Sequence, residues 1–157
     1  MTKFPLTSEG FEMLQSELKQ LIHEERPNII KAIAEARSHG DLSENAEYHS
    51  AKEKQSFIEG KIAELESIIA QAEVIDVSKL SGKEIKFGAT VSVIEEESGQ
   101  KSTYQIVGES ESDIQNNKLS ISSPLARALI GREKGSMVEF KSPKGIKTYS
   151  IKSVQYK

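Results

Sequence analysis

The chain has 157 residues, 36% hydrophobic and 29% charged, with a formal net charge of −3 and neither Cys nor Trp. That length suits one domain or two small ones, and the low apolar fraction suits a protein with a long solvated helical part. The lack of Cys excludes a disulfide framework and thiolate chemistry, the negative charge argues against a duplex-DNA binder that works by neutralising phosphates, and Met1 to Ser8 carry no apolar run long enough for a signal peptide or membrane span. A cytosolic protein is therefore expected.

The charge is not evenly spread. Residues 1–76 carry 8 Lys/Arg against 15 Asp/Glu, and residues 77–157 carry 13 against 9. Such a split fits two domains with different partners, although an acidic solvated rod beside an ordinary basic domain would give the same balance.

Taken in chain order, Thr7 and Ser8 are suitable N-cap residues, with Glu9 and Glu12 favourably placed in the first turns. Apolar residues follow at Phe11, Leu14, Leu18, Ile22, Ile29, Ile33 and Ala36, in steps mostly of three and four, which predicts a helix seam. Pro27 interrupts it by removing one backbone donor, so a bend is expected there. Gly40 is a plausible stop.

A second seam runs through Tyr48, Ala51, Gln55, Ile58, Ile62, Leu65, Ile69 and Ala72. Residue numbers add to 84 for Ile33 with Ala51, Ile29 with Gln55 and Ile22 with Ile62. They add to 83 for Leu18 with Leu65, Leu14 with Ile69 and Phe11 with Ala72. A near-constant sum is what an antiparallel pair requires, since a step up one helix is a step down the other. The expectation is an antiparallel two-helix coiled-coil hairpin over residues 1–76. Each arm would be roughly 30 residues and about 45 Å long, with the tip at about 37–47. Pairing of each helix with a second chain is the alternative.

Val74 to Gly82 reads as the connection to a second domain, residues 77–157. Ala89 to Ile94, Ser102 to Val107, Lys118 to Ser122, Ser136 to Phe140 and Thr148 to Val154 have strand patterns. Ser123 to Gly131 reads as one short helix, with Ser as N-cap, Pro at the first helical position and Gly at the end. The fold class expected is α+β: the helical hairpin followed by a small antiparallel sheet with one short helix.

The tip carries two acids, Asp41 and Glu44, three apart at a helix start. One reading is a capping box with Asp in the Ser/Thr place. The other is a divalent-cation site, which two carboxylates leave incomplete until water or a partner supplies more oxygens. His39 and His49 flank the acids, but neither has the spacing of a known zinc motif. Ser38 and Ser43 lack any nucleophile-elbow context. Arg37, Lys52 and Lys54 stand near the tip and could meet the phosphates of a single strand; solvated helix faces would look the same.

The run Ala34 to His49, which includes Arg37-Ser-His-Gly-Asp-Leu-Ser-Glu-Asn-Ala-Glu-Tyr48, resembles the tip signature of the bacterial Gre transcript-cleavage factors. Arg26-Pro-Asn-Ile-Ile30 and Ser123-Pro-Leu-Ala-Arg-Ala-Leu-Ile-Gly131 also match that family. The resemblance spans the chain and is closer to the GreA branch, because the basic cluster on the rod is small. It implies a monomeric factor, without a cofactor of its own, that binds bacterial RNA polymerase and inserts its tip into the secondary channel. There Asp41 and Glu44 would help hold the second magnesium ion of the polymerase active site. Ser43 would support them, and the polymerase would hydrolyse its own backtracked RNA. Arg37 and Lys52 would touch the extruded RNA 3′ end. The C-terminal domain would be FKBP-like and dock on the polymerase through Ser122, Ser123, Pro124 and Arg127; Ser122 stands where the family commonly has Asp or Asn. Two other readings are a channel-binding regulator without cleavage activity and a chaperone or prolyl isomerase. The intact acids favour cleavage over the first. The few aromatics of the C-terminal half (Phe87, Tyr104, Phe140, Tyr149, Tyr156) argue against the second.

Overall fold

The computed structural model describes residues 3–40 and 45–157, so Asp41, Ser43 and Glu44 lie outside the described residues. The chain divides into two compact units, Phe11–Gln71 in one and Met1–Gly10 with Ala72–Lys157 in the other.

The first of these is the hairpin. Helix α1 (Ser8–Gln20) runs through one π-helical turn, Leu21–Glu25, into α2 (Arg26–Arg37). After the tip, α3 (Ala46–Ala70) returns. Thr7 caps the start as expected, its hydroxyl accepting the Gly10 N–H at 3.0 Å. Where a bend is expected at Pro27, the structure has the π turn just before it. The Arg26 N–H reaches five residues back, to the Leu21 carbonyl. Widening the helix by one residue accommodates a proline that can neither donate nor tolerate the usual carbonyl beneath its ring.

The seam is built as the sequence predicts. Ile29, Ile58 and Ile62 are buried together, with Leu18, Leu21, Ile22, Ala32, Ile33 and Ala51 packed around them. Leu14 and Leu65 are buried as well. Each fully buried Ile or Leu is worth about 1.5–3 kcal/mol. The seam stops one step earlier than expected, since α3 ends at Ala70 and Ala72 belongs to a strand.

The other unit begins with that strand. β1 (Phe4–Thr7) and β2 (Ala72–Ile75) lie parallel, with Phe4 opposite Ala72 and Thr7 opposite Ile75. Neither strand is foreseen from the sequence, where residues 74–82 read as a plain connection and the boundary falls after residue 76. Four residues of weak alternation give no strand signal; only the partner 68 positions away makes one.

The main sheet contains β3 (Thr90–Glu95), β4 (Lys101–Val107), β5 (Lys118–Ser120), β6 (Met137–Ser142) and β7 (Gly145–Gln155), in the order β5-β4-β3-β7-β6. Three of its pairings are antiparallel, as expected, but β4 and β5 run parallel. Helix α4 (Pro124–Leu129) turns Leu125, Ala126 and Leu129 into a core with Val91, Val93, Ile106, Leu119, Val138 and Ile151. The alternation of buried Val91 and Val93 with partly exposed Ser92 is the period of two read in the sequence.

Glu111 fastens the N-terminal residues to this unit. Its carboxylate accepts the Thr7 N–H at 2.8 Å, the Thr7 hydroxyl at 2.5 Å and the Gly108 N–H at 3.1 Å. Close approach requires glycine on both sides of this contact. A Cβ on Gly108 would stand 2.1 Å from the Pro5 carbonyl oxygen, and one on Gly10 would stand 2.0 Å from the Glu111 carboxylate.

The hairpin tip as candidate functional site

Helix α2 ends in a tight turn. The Ser38 N–H and hydroxyl both donate to the Glu35 carbonyl, at 3.1 and 2.6 Å, and the His39 N–H donates to Ala36 at 3.2 Å. Gly40 follows at φ 121°, where a side chain would be strained.

Asn45 opens the return helix. Its side-chain oxygen accepts the Tyr48 N–H at 3.0 Å, the usual N-cap bond, with extended backbone at φ −87° and ψ 97°. Its amide nitrogen donates across the tip to the Ala36 carbonyl at 2.6 Å. One side chain thus satisfies an orphan donor of α3 and adds a second donor, beside the His39 N–H, to the Ala36 carbonyl of α2. The N-cap of α3 is therefore Asn45, and the capping-box alternative for Asp41 and Glu44 falls outside the described residues. Asn is a leading N-cap type directly before a helical pattern, and that is the signal the sequence carries for this cap.

His39 Nδ1 lies 3.3 Å from a Glu47 carboxylate oxygen, both side chains largely exposed. The rings of Tyr48 and His49 meet edge to face, 5.5 Å between centroids. Among the described residues no group of three His, Asp or Glu could hold a metal ion.

Arg37 and Lys52 do come together. They line one groove of about 210 Å³ between α2 and α3, with Ile30, Ile33, Ala34 and Gln55. Lys52 Nζ donates to Gln55 Oε1 at 3.2 Å. Farther down the arms, Arg26 clasps Glu59 through two bonds of 2.8 Å, from Nε and from a terminal nitrogen. The fork geometry holds the Glu59 carboxyl below the usual carboxylate range and raises the Arg26 guanidinium. Nothing in the sequence singles this pair out. Its two partners are 33 positions apart, and only the hairpin register aligns them.

In the sheet-bearing unit, Ser123 is the N-cap of α4, accepting the Ala126 N–H at 3.2 Å and donating to the Ser120 carbonyl at 2.7 Å. Ser122 shares a 2.9 Å hydroxyl contact with Ser120. Ser122, Pro124 and Arg127 are exposed, whereas Ser123 is half-buried and committed to its cap. The four residues predicted to dock are thus one exposed set of three and one structural residue.

Comparison with known families decides the lineage. Residues 4–74 match the family described as "Transcription elongation factor, N-terminal", and residues 80–156 match "Transcription elongation factor, GreA/GreB, C-term". The chain belongs to the GreA/GreB family. Within it the relatives are of the GreA type. The chain is 58% identical to the GreA transcription elongation factor of Phenylobacterium zucineum over 99% of both chains. It is 60% identical to that of Ruegeria pomeroyi, again over 99% of both. Among solved structures, the GreA factor homolog 1 of Thermus thermophilus is 26% identical, with a TM-score of 0.46 over 98% of this chain and 99% of that one. As a GreA-type member, the chain is a transcription elongation factor built from the family's N- and C-terminal parts.

Proposed function

We propose that this protein rescues arrested transcription by stimulating RNA polymerase to cleave its own backtracked transcript. It acts in the bacterial cytoplasm as an activator of the polymerase and not as a nuclease in its own right. The hairpin enters the polymerase secondary channel tip first, and Asp41 and Glu44 meet the active site there. Two carboxylates are hard oxygen donors, suited to magnesium but too few to hold it alone, so the polymerase supplies the rest. Bound between the two sets of ligands, the second magnesium would provide an activated water and charge neutralisation for phosphodiester hydrolysis. Ser43 supports the acids from between them. Arg37 and Lys52 take the phosphates of the extruded RNA 3′ end, while Ser122, Pro124 and Arg127 contact the polymerase surface.

One observation carries the role of the acids. Asn45 makes the α3 cap and ties it to α2, so the bond that joins the two arms at the tip comes from a residue other than the acids. The test is cleavage of 3′-extruded RNA in a stalled polymerase complex. Asp41→Asn and Glu44→Gln should each slow cleavage by more than about a hundred-fold, because even outer-shell partners of a metal are worth up to that. Polymerase binding should survive. Normal cleavage by both variants would refute the assignment.

A further inference from the structure

The Ala36 carbonyl near the end of α2 accepts two bonds. The His39 N–H donates to it at 3.2 Å from the outgoing side of the tip, and the Asn45 amide nitrogen at 2.6 Å from the returning side. Ala36 itself is only 3% exposed, so its carbonyl is an anchored acceptor. In the sequence Asp41 stands two places after His39, and Glu44 is the residue before Asn45. One oxygen thus gathers the chain on both sides of the stretch that carries the acids.

A cap alone does not call for this arrangement. The Tyr48 N–H needs only an acceptor, and Asp or Ser in place of Asn45 would serve the helix about as well. Of these cap types, only Asn holds an acceptor and a donor on two separate atoms of one planar group.

We infer that Asn45 is a positioning residue for the cleavage reaction. Its bond to Ala36 fixes the ends from which Asp41 and Glu44 extend, and so where those acids meet the polymerase metal. The inference rests on the proposed function above and adds to it a residue that touches neither RNA nor ion. Productive geometry at a catalytic site is held to about 0.5 Å by supporting bonds of this kind. A misplacement of about 1 Å is enough to cost a hundred-fold in rate.

The experiment measures cleavage of 3′-extruded RNA in stalled polymerase complexes against the concentration of full-length protein. Asn45→Asp and Asn45→Ser both keep an acceptor for the Tyr48 N–H. Asp has no donor for Ala36, and the Ser hydroxyl sits one bond nearer the backbone than the amide nitrogen. Ser also adds no charge beside the acids. Each variant should lower the rate at saturating protein by about tenfold, the low end for an outer-shell partner of a metal. The half-maximal concentration should not change. Ala51→Gly is the comparison, since it loosens α3 within the seam and leaves the Asn45 bonds in place. It should melt earlier and keep the native saturating rate. A native rate in both Asn45 variants overturns the positioning role and leaves Asn45 a cap. An equal loss in Ala51→Gly overturns it too, because general loosening would then suffice. A raised half-maximal concentration at an unchanged rate also overturns it, and makes Asn45 a polymerase contact. Asp41→Asn and Glu44→Gln are run alongside. If they are slow while the Asn45 variants are normal, only this inference fails; if they cleave normally, the proposed function fails with it.

Discussion

At the scale of single residues, the structure is governed by side chains that serve two partners at once. Asn45 is one. Replacing it with Ala leaves the Tyr48 N–H without its bond and removes the cross-tip donor to the Ala36 carbonyl, which keeps only the His39 N–H. The loss should be about 1–2 kcal/mol, read as a fall of several degrees in the thermal midpoint of the hairpin. Arg26 and Glu59 are another pair, and their contribution depends on pH. The folded Glu59 pKa lies below its ordinary 4.5, so its stabilisation is complete above that value and is lost as pH falls through the folded pKa. Native protein should therefore melt higher than Glu59→Gln at pH 7. The gap should close when both are melted in acid below the usual carboxylate range. A gap that widens on acidification would contradict the bidentate assignment. Neither residue pair announces itself in sequence, because each joins segments that only folding brings side by side.

At the scale of elements, legibility followed periodicity. The hairpin was readable because its two seams repeat over many turns and their numbering adds to a near-constant total, which leaves one register. The five sheet strands and α4 were readable for the same reason, aided by Pro124 and Gly131 at the ends of the helix. The parallel β1–β2 pair, the parallel β5 and the π turn were not. A strand of three or four residues has too few alternations to stand out, and strand direction depends on connections that carry no pattern. The π turn was seen only as a proline fault. Packing predictions belong here. Ile62→Ala should cost about 2–5 kcal/mol, since Ile62 is fully enclosed in the seam, and urea unfolding of the full chain would measure it. Gly108→Ala should cost about 1–3 kcal/mol, because the new methyl meets the Pro5 backbone oxygen and a strand must move. Gly10→Ala meets a side-chain carboxylate instead, which can swing away at the expense of its bonds to Thr7. It should be the milder of the two in the same denaturant series.

At the scale of the whole chain, the candidate site was legible as a motif and not as geometry. The tip signature named Asp41 and Glu44, and the family membership agrees with the lineage it implied. What the sequence did not give was the division of labour around them: which residue caps, which cation has a carboxylate partner, and which docking serine is already engaged. Those are consequences of packing. The pairing of β1 with β2 carries a further consequence. The first strand of the sheet-bearing unit leaves the ribosome well before its mate, so residues 4–7 wait through the synthesis of both long helices before they can be zipped down. The same arrangement makes those helices an excursion that leaves from one end of a four-residue strand ladder and returns to the other. Residues 11–71 should therefore be excisable, with a flexible bridge of about eight residues joining Gly10 to Ala72. The shortened protein should keep the cooperative melting of its sheet, whereas a fragment cut cleanly at residue 77 should melt earlier for want of its first strand.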